Sequence, residues 1–190
     1  MVRWPVAALL VLLSGCAAAP LPLPSVGSRL VAEVHTPGLS YSYPPGWSNV
    51  SWGSFSSNFS YMVAALSNQR LHSPCFHDAN VFSCGQPLGR LQPAAILVEW
   101  WENGYPGWQL ADQPGAAISV DGLPAKMERG PSASPNCRGL GASLGISVVV
   151  ARPQAPGNYF QFIACLRGPQ LSRETSLALE MLDSARLSSG

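Results

Sequence analysis

Charge is what this chain has least of. Lys, Arg, Asp and Glu make up 11% of its 190 residues, against roughly a quarter in ordinary soluble domains. Lys126 is the sole lysine, and 11 basic side chains stand against 10 acidic ones. With no Lys/Arg run, the surface offers no electrostatic footprint for nucleic acid or an anionic lipid surface. No apolar run is long enough to cross a bilayer, since Val6 to Leu13 is far too short. A phosphate cradle is also missing. Gly139, Gly141 and Gly145 fit neither the dinucleotide nor the P-loop spacing, and no Gly-Lys-Ser/Thr follows them. There is no internal repeat and no second-domain boundary. Disorder of the whole is excluded as well, because 47% of the residues are hydrophobic.

What is present begins with Arg3, the apolar run Val6 to Leu13, and then Leu13-Ser14-Gly15-Cys16. The order basic, apolar, small is that of a secretory signal. Leu-Ser-Gly-Cys at its end resembles the lipobox of bacterial lipoproteins. That resemblance implies a diacylglycerol on the Cys16 thiol, cleavage before Cys16 and acylation of the new amino group. Ser14 and Gly15 are small enough for the peptidase to seat the bond, and only a thiol can form the thioether. Residues 1–15 are then a signal peptide. The protein is expected on the extracytoplasmic side of the cell membrane, held there by lipid. Loss of Arg3 leaves ten basic and ten acidic residues. Residues 16–30 follow as the lipidated cysteine and a tether. Pro20, Pro22 and Pro24 favour extended polyproline II and remove backbone donors. Residues 31–190 suit a single domain with a sizeable core.

Four cysteines remain: Cys75, Cys84, Cys137 and Cys165. An even number in an exported chain points to two disulfides, with three connectivities. The sequence-local pairs Cys75–Cys84 and Cys137–Cys165 are favoured.

The domain reads as mostly strand. Leu39, Tyr41 and Tyr43 alternate with serines, Pro44-Pro45-Gly46 turns the chain, and Trp47 to about Trp52 continues as a strand. Phe59, Tyr61 and Val63 repeat the alternation, and a polar loop carries Cys75 and Cys84. Ala95 to Trp101, apolar except for Glu99, reads as a central strand. Asp121-Gly122 signals a two-residue hairpin. In the clearest hairpin, Leu144, Ile146, Val148 and Val150 share a face, as do Phe160, Phe162, Ala164 and Leu166 on the partner. Cys165 then points the other way, beside Gly145 and Ser147, with room for Cys137. A helix is expected from about Ser172 to Arg186, capped by Ser172, with Leu177, Ala178, Met181, Leu182 and Ala185 as its buried stripe.

These elements predict an α+β fold: one antiparallel sheet of hairpin-connected strands with a C-terminal helix packed on it. The Tyr43-Pro44-Pro45-Gly46-Trp47 turn, the later hairpins and the closing helix resemble the PsbP/Mog1-like fold found in some exported actinobacterial lipoproteins. The resemblance covers about two thirds of the mature chain and implies a non-catalytic binding or assembly role.

Four constellations could carry chemistry. Gly141-Ala142-Ser143-Leu144-Gly145 matches a nucleophile elbow, which needs a helix after the serine. Here Val148-Val149-Val150 predicts a strand, and His35, His72 and His77 all precede Ser143, whereas hydrolases of that fold place histidine last. His72, Cys75, His77, Asp78 and Cys84 form a ligand-like cluster, yet its spacing matches no familiar zinc module and a disulfide better explains the thiols. Glu99 and Glu102 would face opposite sides of a strand and so could not flank one glycosidic bond. Aromatic residues remain. Trp100 and Trp101 must point to opposite sides, and an exposed one beside Tyr105 and Trp108 would make a platform for a glycan, lipid or peptide.

The expectation is a membrane-anchored envelope lipoprotein, not an enzyme, with a binding or scaffolding domain and no cofactor or metal. Its partners would be the membrane, through Cys16, and an envelope protein, glycan or lipid at the Trp100, Trp101, Tyr105 and Trp108 surface. The alternatives are a hydrolase using Ser143 or Glu99/Glu102, and a metal-binding protein using His72 and His77.

Overall fold

The structure, a computed structural model, describes residues 30–36, 38–52, 59–78, 81–152, 155 and 157–187. The signal segment, Cys16 and all of the tether but Leu30 lie outside the described residues. Within them the chain forms β1 (Ala32–Thr36), β2 (Leu39–Tyr43), β3 (Ser48–Val50), β4 (Ser60–Ser67), β5 (Cys75–Asp78), β6 (Val81–Cys84), β7 (Ala95–Gly104), β8 (Ala116–Val120), β9 (Leu123–Gly130), α1 (Pro135–Gly139), β10 (Leu144–Ala151), β11 (Asn158–Arg167), α2 (Leu171–Asp183) and β12 (Arg186–Leu187). A single 3-10 turn at Leu110–Asp112 precedes β8. No helix among the described residues is long and apolar enough to cross a membrane.

One antiparallel sheet of seven strands, ordered β3-β4-β7-β11-β10-β9-β8, forms the frame of this α+β fold. Alternation sets its two faces. In the β10–β11 pair, Ile146 sits opposite Ala164, Val148 opposite Phe162 and Val150 opposite Phe160. These side chains are all buried with Leu177, Ala178, Met181 and Leu182 of α2. The same face receives Leu39 and Tyr41 from the three-stranded sheet β1-β2-β12.

The other face holds a second core: Met62, Ala65, Leu97, Ile163 and Cys165, covered by Leu88, Leu91 and by Cys137 and Leu140 of the α1 region. Cys137 and Cys165 are bridged there, and Cys75 is bridged to Cys84. Gly145 is what lets α1 approach. A Cβ at that position would lie 3.3 Å from the Gly130 carbonyl and 3.4 Å from the Cys137 Cβ.

Several boundaries differ from the sequence expectation. The stretch from Trp47 to Trp52 keeps only three ladder residues, Ser48–Val50. A bulge between Met62 and Ala64 breaks the β4 alternation, so Val63 and Ala64 both join the helix-side core. The loop carrying Cys75 and Cys84 is a hairpin that sets the two cysteines directly opposite each other. Ser172 does not cap α2; the cap position is Gln170, and no side chain fills it. At its far end the helix stops at Asp183. The Ser184 hydroxyl there accepts from the Ser42 backbone N–H at 2.9 Å, and Arg186 pairs with Ser40 as a strand. An available β2 edge outcompetes another half-turn of helix.

Candidate binding surface

Strand β7 decides where the tryptophans go. Its even positions face the helix, so Trp100 is fully buried, 5.1 Å from the Phe162 ring and 5.9 Å from Tyr41. That removes Trp100 from the expected ligand surface. Trp101 faces the other way and stays half-buried, in edge contact with Trp52 at 5.0 Å. Its indole N–H donates to Glu99 Oε2 at 3.2 Å. The Glu99 side chain is fully buried, and its Oε1 makes no well-formed hydrogen bond. Burial therefore raises the carboxyl pKa, and the Trp101 indole and Asn136 amide pull it partway back.

Past the end of β7, four rings stack in a line. Phe59 lies 5.5 Å from Tyr105 at 16°, Tyr105 6.4 Å from Tyr159 at 30°, and Tyr159 4.2 Å from Trp108 at 13°. Phe59 is 49% and Tyr105 42% exposed, while Tyr159 and Trp108 are half-buried. The line is held from below. Ser60 Oγ donates to Asn103 Oδ1 at 2.6 Å and lies 3.1 Å from the Tyr105 hydroxyl. The Tyr105 N–H donates to the Gly157 carbonyl at 3.0 Å. Gly157 has φ +84°, and a Cβ there would sit 3.0 Å from the Tyr105 carbonyl oxygen, so glycine is needed for the turn and the approach. Partial burial, and then the nearby Tyr105 phenol, raise the Tyr159 pKa.

Beside this line runs a polar strip. Trp101 is opposite Gln161 on β11, and Ser147 on β10 is opposite Glu128 on β9. Gln161 Nε2 donates to Ser147 Oγ at 3.2 Å, joining the two pairs. All four side chains are half-buried. Lys126, nearby on β9, is already occupied: its ammonium donates to the carbonyls of Ala111 at 2.7 Å and Gln113 at 2.6 Å, tying down the 3-10 turn. Tyr105 and Trp108 both stack on Tyr159, whereas the ring that Trp101 meets is Trp52. Phe59, Tyr159, Gln161, Ser147 and Glu128 lie along this surface without the sequence having pointed to them as part of it.

Among the described residues the other constellations do not assemble. Ser143 is exposed and leads into β10, where its N–H donates to the Leu166 carbonyl at 2.8 Å, and no helix follows it. His35 is bound to Glu33 at 2.8 Å. Cys75 and Cys84 are bridged and cannot be thiolate ligands, His72 is exposed, and the His77 and Asp78 side chains lie outside the described residues. Among the described residues no group of three or more His, Cys, Asp or Glu is placed to hold a metal. Glu102 lies on the helix side, in an ion pair with Arg152, which sits 4.9 Å over the Phe160 ring. The one carboxylate in the same cross-strand row as Glu99 is Glu128, three strands away. That is about 14 Å at the usual strand spacing, beyond the roughly 5–9.5 Å of a glycosidase pair.

No protein family matches the chain, and no curated protein is similar to it in sequence. The site is therefore read from its own chemistry: exposed ring surface along one edge, with amide and hydroxyl groups beside it.

Proposed function

We propose that this protein is a lipid-anchored, non-catalytic binding module of the cell envelope, attached through Cys16 and held off the membrane by residues 16–30. Its domain is read as PsbP/Mog1-like, on element order. The observation that carries the binding role is the line Phe59–Tyr105–Tyr159–Trp108, stacked and partly open to solvent. Rings left at a surface lose the hydrophobic gain of burial, and contiguous exposed apolar area marks interaction sites. Here four such rings are collected from three chain segments far apart in sequence.

Hydrogen exchange of the full chain, with and without an isolated envelope fraction, tests the reading. Protection is expected in segments 101–108 and 157–161. If those segments exchange identically in both samples, the surface is not a binding site and the reading falls. Loss of an accompanying ester-hydrolysing activity in Ser143→Ala would instead favour the hydrolase alternative.

A further inference from the structure

The binding reading can be carried to a ligand class. We infer that the surface takes a neutral, hydroxyl-rich saccharide, lying across the strands along Trp101, Gln161 and Ser147 with the aromatic line at its side; this rests on the binding-module reading above. Charge is the first reason. The only ammonium near the strip, Lys126, is consumed by two backbone carbonyls, and Glu128 is the only carboxylate the strip exposes. The other cations on the strip's four strands are engaged elsewhere, Arg129 with the Thr175 hydroxyl of α2 and Arg167 with the Leu91 carbonyl, so phosphate headgroups and acidic polymers are disfavoured.

Polarity is the second reason. An acyl chain needs a continuous apolar channel, whereas this floor carries an amide and a hydroxyl already bonded to each other at 3.2 Å. That pair keeps spare capacity, because the Gln161 carbonyl and a second amide proton can each serve a sugar hydroxyl. Direction is the third. The strip crosses β7, β11, β10 and β9 in the middle of the sheet, where every backbone group is already paired. An extended peptide could not add as a strand there. The strip spans about 14 Å at ordinary strand spacing, which suits a short oligosaccharide better than one ring. The apolar face of a pyranose can then rest against the ring surface left open at Tyr159 and Trp108.

The test is affinity electrophoresis of the full chain in a polyoxyethylene detergent (not a glycoside one), through gels containing soluble glucan, galactan or mannan. Wild type is expected to be retarded by at least one. Trp108→Ala and Gln161→Ala should each weaken that retardation about tenfold. Phe76→Ala, which removes the exposed ring on the β5–β6 hairpin, should leave it unchanged. Intact disulfides and an unchanged melting temperature serve as the folding control for each variant. No retardation in any of the three gels overturns the saccharide inference, as does retardation that ignores both site variants. Should the gels fail while the envelope fraction still protects 101–108 and 157–161, the saccharide is wrong and the binding module stands. If both fail, both readings fall.

Discussion

Glu99 shows how one side chain can carry a cost that the fold tolerates. It sits in the middle of the sheet, fully buried, opposite Ile163 and Ala65, with the Trp101 indole as the donor to Oε2 and no well-formed bond at Oε1. Burial raises its pKa in the folded chain above that of the unfolded one. The folded state therefore holds the proton more tightly, and the stability linked to it is complete below the unfolded pKa and lost as pH rises through the folded value. Glu99→Gln keeps an acceptor for the Trp101 indole and removes the charge. Urea unfolding at about pH 4 and at neutral pH should show the variant more stable than wild type at neutral pH and close to it in acid. A variant less stable at neutral pH would mean that the ionised carboxylate is itself stabilising. Sequence reasoning placed Glu99 and Glu102 on opposite faces from strand period alone, and they are. It could not say which of Trp100 and Trp101 would be covered, because alternation distinguishes two faces without identifying the one under the helix. Gln161 and Tyr159 were invisible for a related reason: their neighbours come from cross-strand register over long sequence distances.

At the level of elements, local pattern was legible and pairing was not. The β10–β11 hairpin and the stripe of α2 follow from periods of two and 3.6, and the cysteine facing away from the hairpin core does meet Cys137. By contrast Cys75–Asp78 has no alternation to read, and the β4 bulge and the β12 pairing exist only because a partner strand is present. The two bridges consequently sit in different settings. Cys137–Cys165 is sealed in the second core, whereas Cys75–Cys84 links a two-stranded sheet with both cysteines half-exposed. Thiolate exchange needs access to sulfur. Under a graded reductant, alkylation and peptide mass mapping should find Cys75 and Cys84 modified first, with Cys137 and Cys165 following only as the domain unfolds. The chain-entropy relation gives about 2.6 kcal/mol for the nine-residue separation and about 3.6 kcal/mol for that of 28 residues. Replacing both partners of the buried bridge by alanine should therefore destabilise the domain more than the same change at the hairpin. Simultaneous reduction of both pairs would show that the hairpin shares the stability of the core.

The molecule as a whole is nearly neutral, and this sharpens what its proposed anchor must do. With Arg3 removed as proposed, the charges would balance at ten each, so the net charge would add nothing to membrane retention. The proposed tether of 16–30, were it extended at roughly 3.1 Å per residue, would reach up to about 45 Å, several Debye lengths at physiological salt. On the proposed reading, retention would rest on the acyl chains, with no contribution from the net charge. The Cys16 anchor is thus expected to act all or none. In a host with the lipoprotein-processing pathway, wild type should stay with the membrane pellet through a wash at about 1 M salt, where the Debye length falls to about 3 Å. Cys16→Ser should be in the aqueous fraction even at low salt, with the same two disulfides and an unchanged melting temperature. A Cys16→Ser chain that pellets at low salt and is released by high salt would place membrane affinity in the folded domain. The neutral surface, the tether and the lipid would then need a different account.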